Sequence, residues 1–179
     1  MKTFVTVLIV IGSLILILLF VGLFIKKDYH VEREVVINKT KEEVYNYVKY
    51  LKNQNNYSVW AKMDPNMKNE FRGEDGTVGF VSAWSSLDKK VGVGEQEIIG
   101  IGPDRIDYEI RFIKPFPSTA PTYMSIVSVS ANKTLVKWEF EGHMKYPTNL
   151  MLLFMSMEKA IGNDLGTGLN NLKRILEEE

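Results

Sequence analysis

The chain has 179 residues, no cysteine, and 22 basic residues balanced against 22 acidic ones. Without cysteine there is no disulfide framework, no thiolate metal centre and no acylated lipoprotein terminus. Setting aside Lys2, Lys26 and Lys27, which flank an uncharged stretch, leaves 19 basic residues against 22 acidic ones, which lacks the basic excess of a nucleic-acid-binding surface.

The first element is the run from Phe4 to Ile25, which holds neither charge nor proline. As a helix rising 1.5 Å per residue it matches the roughly 30 Å hydrocarbon core of a bilayer. A cleaved signal peptide has a shorter apolar stretch ending at a small-residue site, whereas the exit here is Leu23-Phe24-Ile25-Lys26-Lys27. The expectation is a single-pass membrane protein, with residues 1–27 as an uncleaved transmembrane anchor and residues 28–179 as one soluble domain. Lysines are nearly matched on the two sides of the span, so charge bias selects neither side of the membrane for that domain. Gly12 and Gly22 do not make a Gly-x-x-x-Gly face and read as lipid-facing positions.

Tyr29 to Ile37 is rich in β-branched residues, with Val31, Val35 and Ile37 in step with Tyr29, which predicts a strand. Thr40 stands three residues before Glu43, the spacing of a capping box, and Val44, Tyr47, Val48 and Leu51 then repeat at helical intervals. Asn53 to Met63 reads as a short helix or linker carrying Tyr57 and Trp60, broken by Asp64-Pro65-Asn66. Further strands are expected at Val78 to Ser86, Val91 to Ile101, Ile106 to Ile113, Tyr123 to Ser130 and Thr134 to Gly142. The turns between them include Pro115 to Pro121. Such short connections imply antiparallel neighbours. Ile106, Tyr108, Ile110 and Phe112 alternate with Arg105, Asp107, Glu109 and Arg111, and Val136, Trp138 and Phe140 alternate with Lys137, Glu139 and Glu141. The sheet therefore has one covered face and one wet face. Asn149 to Glu179 keeps a helical apolar period through Leu150, Leu153, Phe154, Met157, Ile161, Leu165, Leu169, Leu172 and Leu176, predicting one long covering helix.

This order of elements resembles the SRPBCC superfamily of START-like, birch-pollen-allergen-like and polyketide cyclase/dehydrase-like proteins. The resemblance is carried by Tyr29-His30-Val31-Glu32-Arg33, Val36-Ile37-Asn38, Trp60-Ala61-Lys62-Met63-Asp64-Pro65, Gly76-Thr77-Val78-Gly79 with Trp84, Phe112-Ile113-Lys114-Pro115-Phe116, and Met157-Glu158-Lys159-Ala160-Ile161-Gly162. It implies an α+β helix-grip domain: a curved antiparallel sheet of about seven strands wrapped on a long C-terminal helix, here preceded by one transmembrane helix. Sheet and helix in that arrangement do not fully meet, so Trp60, Trp84, Tyr108, Phe112, Trp138 and Met155 are expected to line a cavity. The leading functional expectation is binding of a small apolar molecule, lipid-like or isoprenoid-like, in an enclosed space of roughly 300 Å³ or more. The alternatives are a cyclase or hydrolase with a cavity carboxylate or histidine as general base, and a partner-binding domain whose outer face matters.

Chemistry-bearing motifs are sparse. The two histidines, His30 and His143, have no local metal-ligand spacing, and no cofactor motif is present: Gly92-Val93-Gly94 and Gly100-Ile101-Gly102 lack a third glycine and read as bends or turns. Glu95 and Glu97 share one strand face and could divide acid and base roles, but a solvated stripe is the stronger reading. Asp64 suits its Asp-Pro turn. Met144, Met151, Met155 and Met157 cluster at the start of the covering segment, and Gly162, Gly166 and Gly168 weaken its helix unless the sheet approaches closely.

Overall fold

The computed structural model describes residues 2–178. Helix α1 (Lys2–Gly22) exposes nearly all its large side chains, and Gly22 alone is buried. Gly22 is not lipid-facing: a Cβ there would lie 3.1 Å from Leu150, and the Asn149 side-chain amide donates to the Gly22 carbonyl at 2.7 Å and to that of Ile25 at 3.2 Å. The last turn of an α-helix leaves carbonyls without partners, and Asn149, itself fully buried, satisfies that of Gly22 together with that of Ile25 just beyond the helix.

Strand β1 (Asp28–Ile37) leads into α2 (Lys41–Val48), where the expected capping box forms: Thr40 Oγ1 accepts from the Glu43 amide, and the Glu43 carboxylate accepts from the Thr40 amide at 2.9 Å. A short α3 (Gln54–Tyr57) and a turn at Trp60–Lys62 follow. Strands β2 (Lys68–Arg72), β3 (Val81–Ser85), β4 (Val93–Ile101), β5 (Arg105–Lys114), β6 (Ser118–Ser130) and β7 (Lys133–His143) complete one antiparallel seven-stranded sheet in the order β1-β7-β6-β5-β4-β3-β2. Helix α4 (Met157–Glu178) lies across it, burying Leu165, Leu169, Leu172 and Leu176 against Val31, Ile37, Val136 and Trp138.

Strand β2 falls where no strand was expected, and two boundaries differ markedly from expectation. β6 begins at Ser118, inside the stretch read as a turn, and contains Pro121. That proline precedes the Thr122–Phe140 pair at which the register with β7 begins, so its missing N–H removes no rung on that side. The covering helix starts at Met157, not Asn149. Thr148–Leu153 forms a separate 3₁₀ turn because Asn149 is committed to α1, and Ser156 then opens α4, with the Lys159 amide donating to its hydroxyl at 3.3 Å.

The α4 glycines mark close approach. A Cβ at Gly168 would sit 2.9 Å from the Trp138 ring, and one at Gly162 would enter the Arg33 guanidinium, which bonds Glu158 at 2.5 Å.

Candidate functional site

Between the inner face of β3, β4, β5 and β7 and the start of α4 lies a cavity of about 240 Å³ that is partly open to solvent. All three tryptophans of the chain line it, with Phe112, Phe140, Ile110 and Ile161. Their seating follows from strand alternation. Trp84 pairs with Gly94 across β3 and β4, and a Cβ at Gly94 would lie 2.4 Å from the Trp84 ring, so the glycine is what lets the indole lie flat over the strand. The Trp84 indole N–H donates to the Val91 carbonyl at 3.3 Å, and the ring meets Phe112 edge to face at 6.1 Å. Trp138 meets Tyr57 at 5.8 Å and Trp60 at 6.1 Å in the same geometry, forming the wall nearest α4.

Of the expected lining residues, the fold thus brings together Trp60, Trp84, Phe112 and Trp138. Tyr108 faces inward but is buried in the core beyond the cavity, where burial raises its phenol pKa well above the ordinary value. Met155 is exposed in the link between the 3₁₀ turn and α4, because the helix expected to carry it inward starts two residues later. The space is smaller than roughly 300 Å³ and not fully enclosed. Sequence reasoning missed Gln54, Ser82 and Gln96 among the polar residues of the lining. Gln96 is buried, and its amide exchanges hydrogen bonds with that of Gln54 at 3.2 and 3.3 Å. The signal was available, since Gln96 stands between two outward-facing glutamates on an alternating strand.

Among the described residues, Glu95, Glu97, Asp64 and His143 all lie outside the cavity lining. Glu95 and Glu97 are on the wet face as expected, yet only 20% and 29% exposed, because Arg111 covers both, bonding Glu95 at 2.8 Å and Glu97 at 2.6 Å. Arg72 and Arg111 together hold the Glu95 carboxyl below its usual range. Asp64 accepts from the Asn66 amide at 2.8 Å and from the Ser86 hydroxyl, the turn role expected of it. His143 pairs with Asp28 at 2.6 Å. Pairing of β1 with β7 brings His30, Glu32 and Glu139 within 4.8 Å of one another, a grouping hidden from sequence spacing because it spans two strands. Lys137 approaches Glu32 at 3.4 Å, and the exposed group is a mixed ion-pair network.

The acid beside the cavity is Asp164, on α4 between the lining residues Ile161 and Leu165. Burial raises its pKa, opposed by the nearby Trp60 indole. A raised folded-state pKa contributes stability that is fully present below the unfolded value near 3.8 and is lost as pH rises through the folded one. Asp164→Asn is therefore expected to raise the melting temperature at pH 7 and to converge on the wild type below about pH 4. A lower melting temperature at pH 7 would show instead that the carboxylate is a favourable partner of Trp60.

No family model matches the chain, and no curated protein matches it. Solved structures do resemble it. Norcoclaurine synthase from Thalictrum flavum, in complex with dopamine and hydroxybenzaldehyde, is 9% identical over 89% of this chain and 92% of that one, with a TM-score of 0.62. A Thermobifida fusca protein solved by NMR is 18% identical over 83% and 93%, with a TM-score of 0.54. Ara h 8.0201 is 12% identical over 85% and 99%, also at 0.54. At these identities the likeness concerns the fold alone, which is the helix-grip fold of Bet v1-like proteins.

Proposed function

We propose that this chain is a membrane-tethered binding domain that holds a small, largely apolar molecule between its sheet and α4. The observation that carries the reading is an aromatic-walled cavity with no nucleophile and base paired within it. At about 240 Å³ it exceeds the ~150 Å³ apolar cavity that accommodates benzene, and it cannot take the two acyl chains of a phospholipid. The fitting guest is a compound of one or two rings, or the end of an isoprenoid, with one polar group placed on the Gln54–Gln96 amides. A synthase of the same fold in complex with dopamine and hydroxybenzaldehyde, both one-ring compounds, is consistent with that size class.

Tethering is supported by α1, whose 21 residues span about 30 Å and carry no charge after Lys2. Its last turn is bonded into the domain through Asn149, and cleavage after Ile25 would take both of those contacts away.

All three tryptophans line the cavity, so their emission reports its occupancy. Titration of the detergent-solubilised full chain with 4-nitrophenol, a one-ring quencher, is expected to give saturable quenching. Ser82→Phe, which projects a ring into the space from β3, is expected to convert that to weak linear quenching with little change in melting temperature. Linear quenching of the wild type, with Ser82→Phe destabilised by about 1–3 kcal/mol through overpacking, would overturn the binding reading.

A further inference from the structure

The antiparallel registers place four connections at one end of the sheet, the end where Asp28 joins β1 to α1. Lys68 pairs with Ser85, Val93 with Lys114, Phe112 with Ser118, and Asp28 with His143, so the lead into β2, the β3–β4 turn, the β5–β6 turn and the β7–α4 link all project there. The last three each carry a large apolar side chain with almost nothing around it: Leu87 is 103% exposed, Phe116 82% and Phe154 79%. Among the described residues these are the most exposed large apolar side chains of the chain, and the next is Phe24, at 77%, on the exit from α1.

Scattered exposed apolar residues are ordinary, but one on three of the four connections at a single end is a pattern. Its charge has a sign as well. Across the five segments 26–28, 63–67, 86–92, 114–117 and 144–156, the six lysines Lys26, Lys27, Lys89, Lys90, Lys114 and Lys145 face the three aspartates Asp28, Asp64 and Asp88. Apolar tips flanked by lysine are suited to a headgroup layer, where the ring or isobutyl group enters the acyl boundary and the ammonium groups meet lipid phosphates. Asn149, bonded to the carbonyls of Gly22 and Ile25, ties this end of the domain to the last turn of α1. The cavity lining includes Lys90 and Val91, from the same turn as Leu87.

We propose that this end of the domain docks on the bilayer crossed by α1, with Leu87, Phe116 and Phe154 seated at the acyl boundary and the cavity mouth turned toward the lipid. The proposal rests on the reading of α1 as a membrane anchor. The chain has no native cysteine, so single-cysteine variants can be labelled cleanly with an environment-sensitive fluorophore. Leu87→Cys, Phe116→Cys, Phe154→Cys, Leu16→Cys within α1, and Val129→Cys at the opposite end of the sheet would be prepared in the full chain. Each would be reconstituted into vesicles of equal parts phosphatidylcholine and phosphatidylglycerol, with and without doxyl-labelled lipid. Labels at 87, 116, 154 and 16 are expected to shift to the blue and to be quenched severalfold by the doxyl lipid, while that at 129 stays in the aqueous range. Quenching at 16, with labels at 87 and 116 behaving like 129, would overturn the docking surface and leave the anchor standing. No quenching at any position would overturn both.

Discussion

Replacing Trp138 by alanine is expected to destabilise the domain by about 3–5 kcal/mol and to abolish saturable binding in the cavity. Trp138 is only 3% exposed and closes the interface among three elements: Tyr57 at the end of α3, Trp60 in the following turn, and α4 at Gly168. Truncation removes the indole's transfer free energy and leaves a void. Because the neighbouring cavity of about 240 Å³ is already unfilled on that side, nothing can collapse inward to close it. The Trp60 ring also loses its edge-to-face partner, a contact of about 0.5–1.5 kcal/mol beyond area burial. Urea denaturation of the full chain in detergent checks the first part and 4-nitrophenol titration the second. A loss under about 1 kcal/mol would mean that the indole is not packed between sheet and helix.

How far the fold was legible depended on whether local pattern and tertiary contact agreed. Alternation through Arg105 to Phe112 and Val136 to Glu141 assigned the covered and wet faces as they occur, because a half-buried antiparallel strand has few other ways to satisfy that pattern. The Thr40–Glu43 box formed for the same reason: its partners are three residues apart and need nothing from elsewhere. The segment 149–156 failed the other way. Its apolar residues keep helical spacing, but Asn149 bonds to carbonyls more than a hundred residues away, and no local signal announces that contact. Losing the helix there removed Met155 from the cavity. Trp60, Trp84, Phe112 and Trp138 were readable as inward-facing, whereas the Gln54–Gln96 pair required knowing which helix lies opposite β4.

Arg111 carries the other large effect. On the wet face it bonds Glu95 at 2.8 Å, Glu97 at 2.6 Å and Glu109 at 2.6 Å, so one guanidinium bridges three carboxylates drawn from β4 and β5. Exposed pairs contribute about 0–1 kcal/mol, while removal of one partner from a buried pair costs about 3–5 kcal/mol. Glu95 and Glu97 lie between those limits, and Glu109, at 37% exposed, belongs near the first. Arg111→Met keeps the apolar stem and deletes the charge, and is expected to cost about 1–3 kcal/mol at pH 7. The sign of the pH dependence follows from Glu95. Its carboxyl is held low by Arg72 and Arg111, so the stabilisation is present above the ordinary value near 4.5 and disappears as pH falls through the folded one. Protonation also relieves the carboxylates stranded in the variant. The difference between wild type and Arg111→Met should thus be largest at neutral pH and shrink below about pH 4.5. Raised salt should narrow it only modestly, since partly buried pairs are screened less than exposed ones. A stability gap that stays constant from pH 7 to pH 3 would mean that Arg111 acts through packing of its stem over β4, and that the three ion pairs contribute nothing.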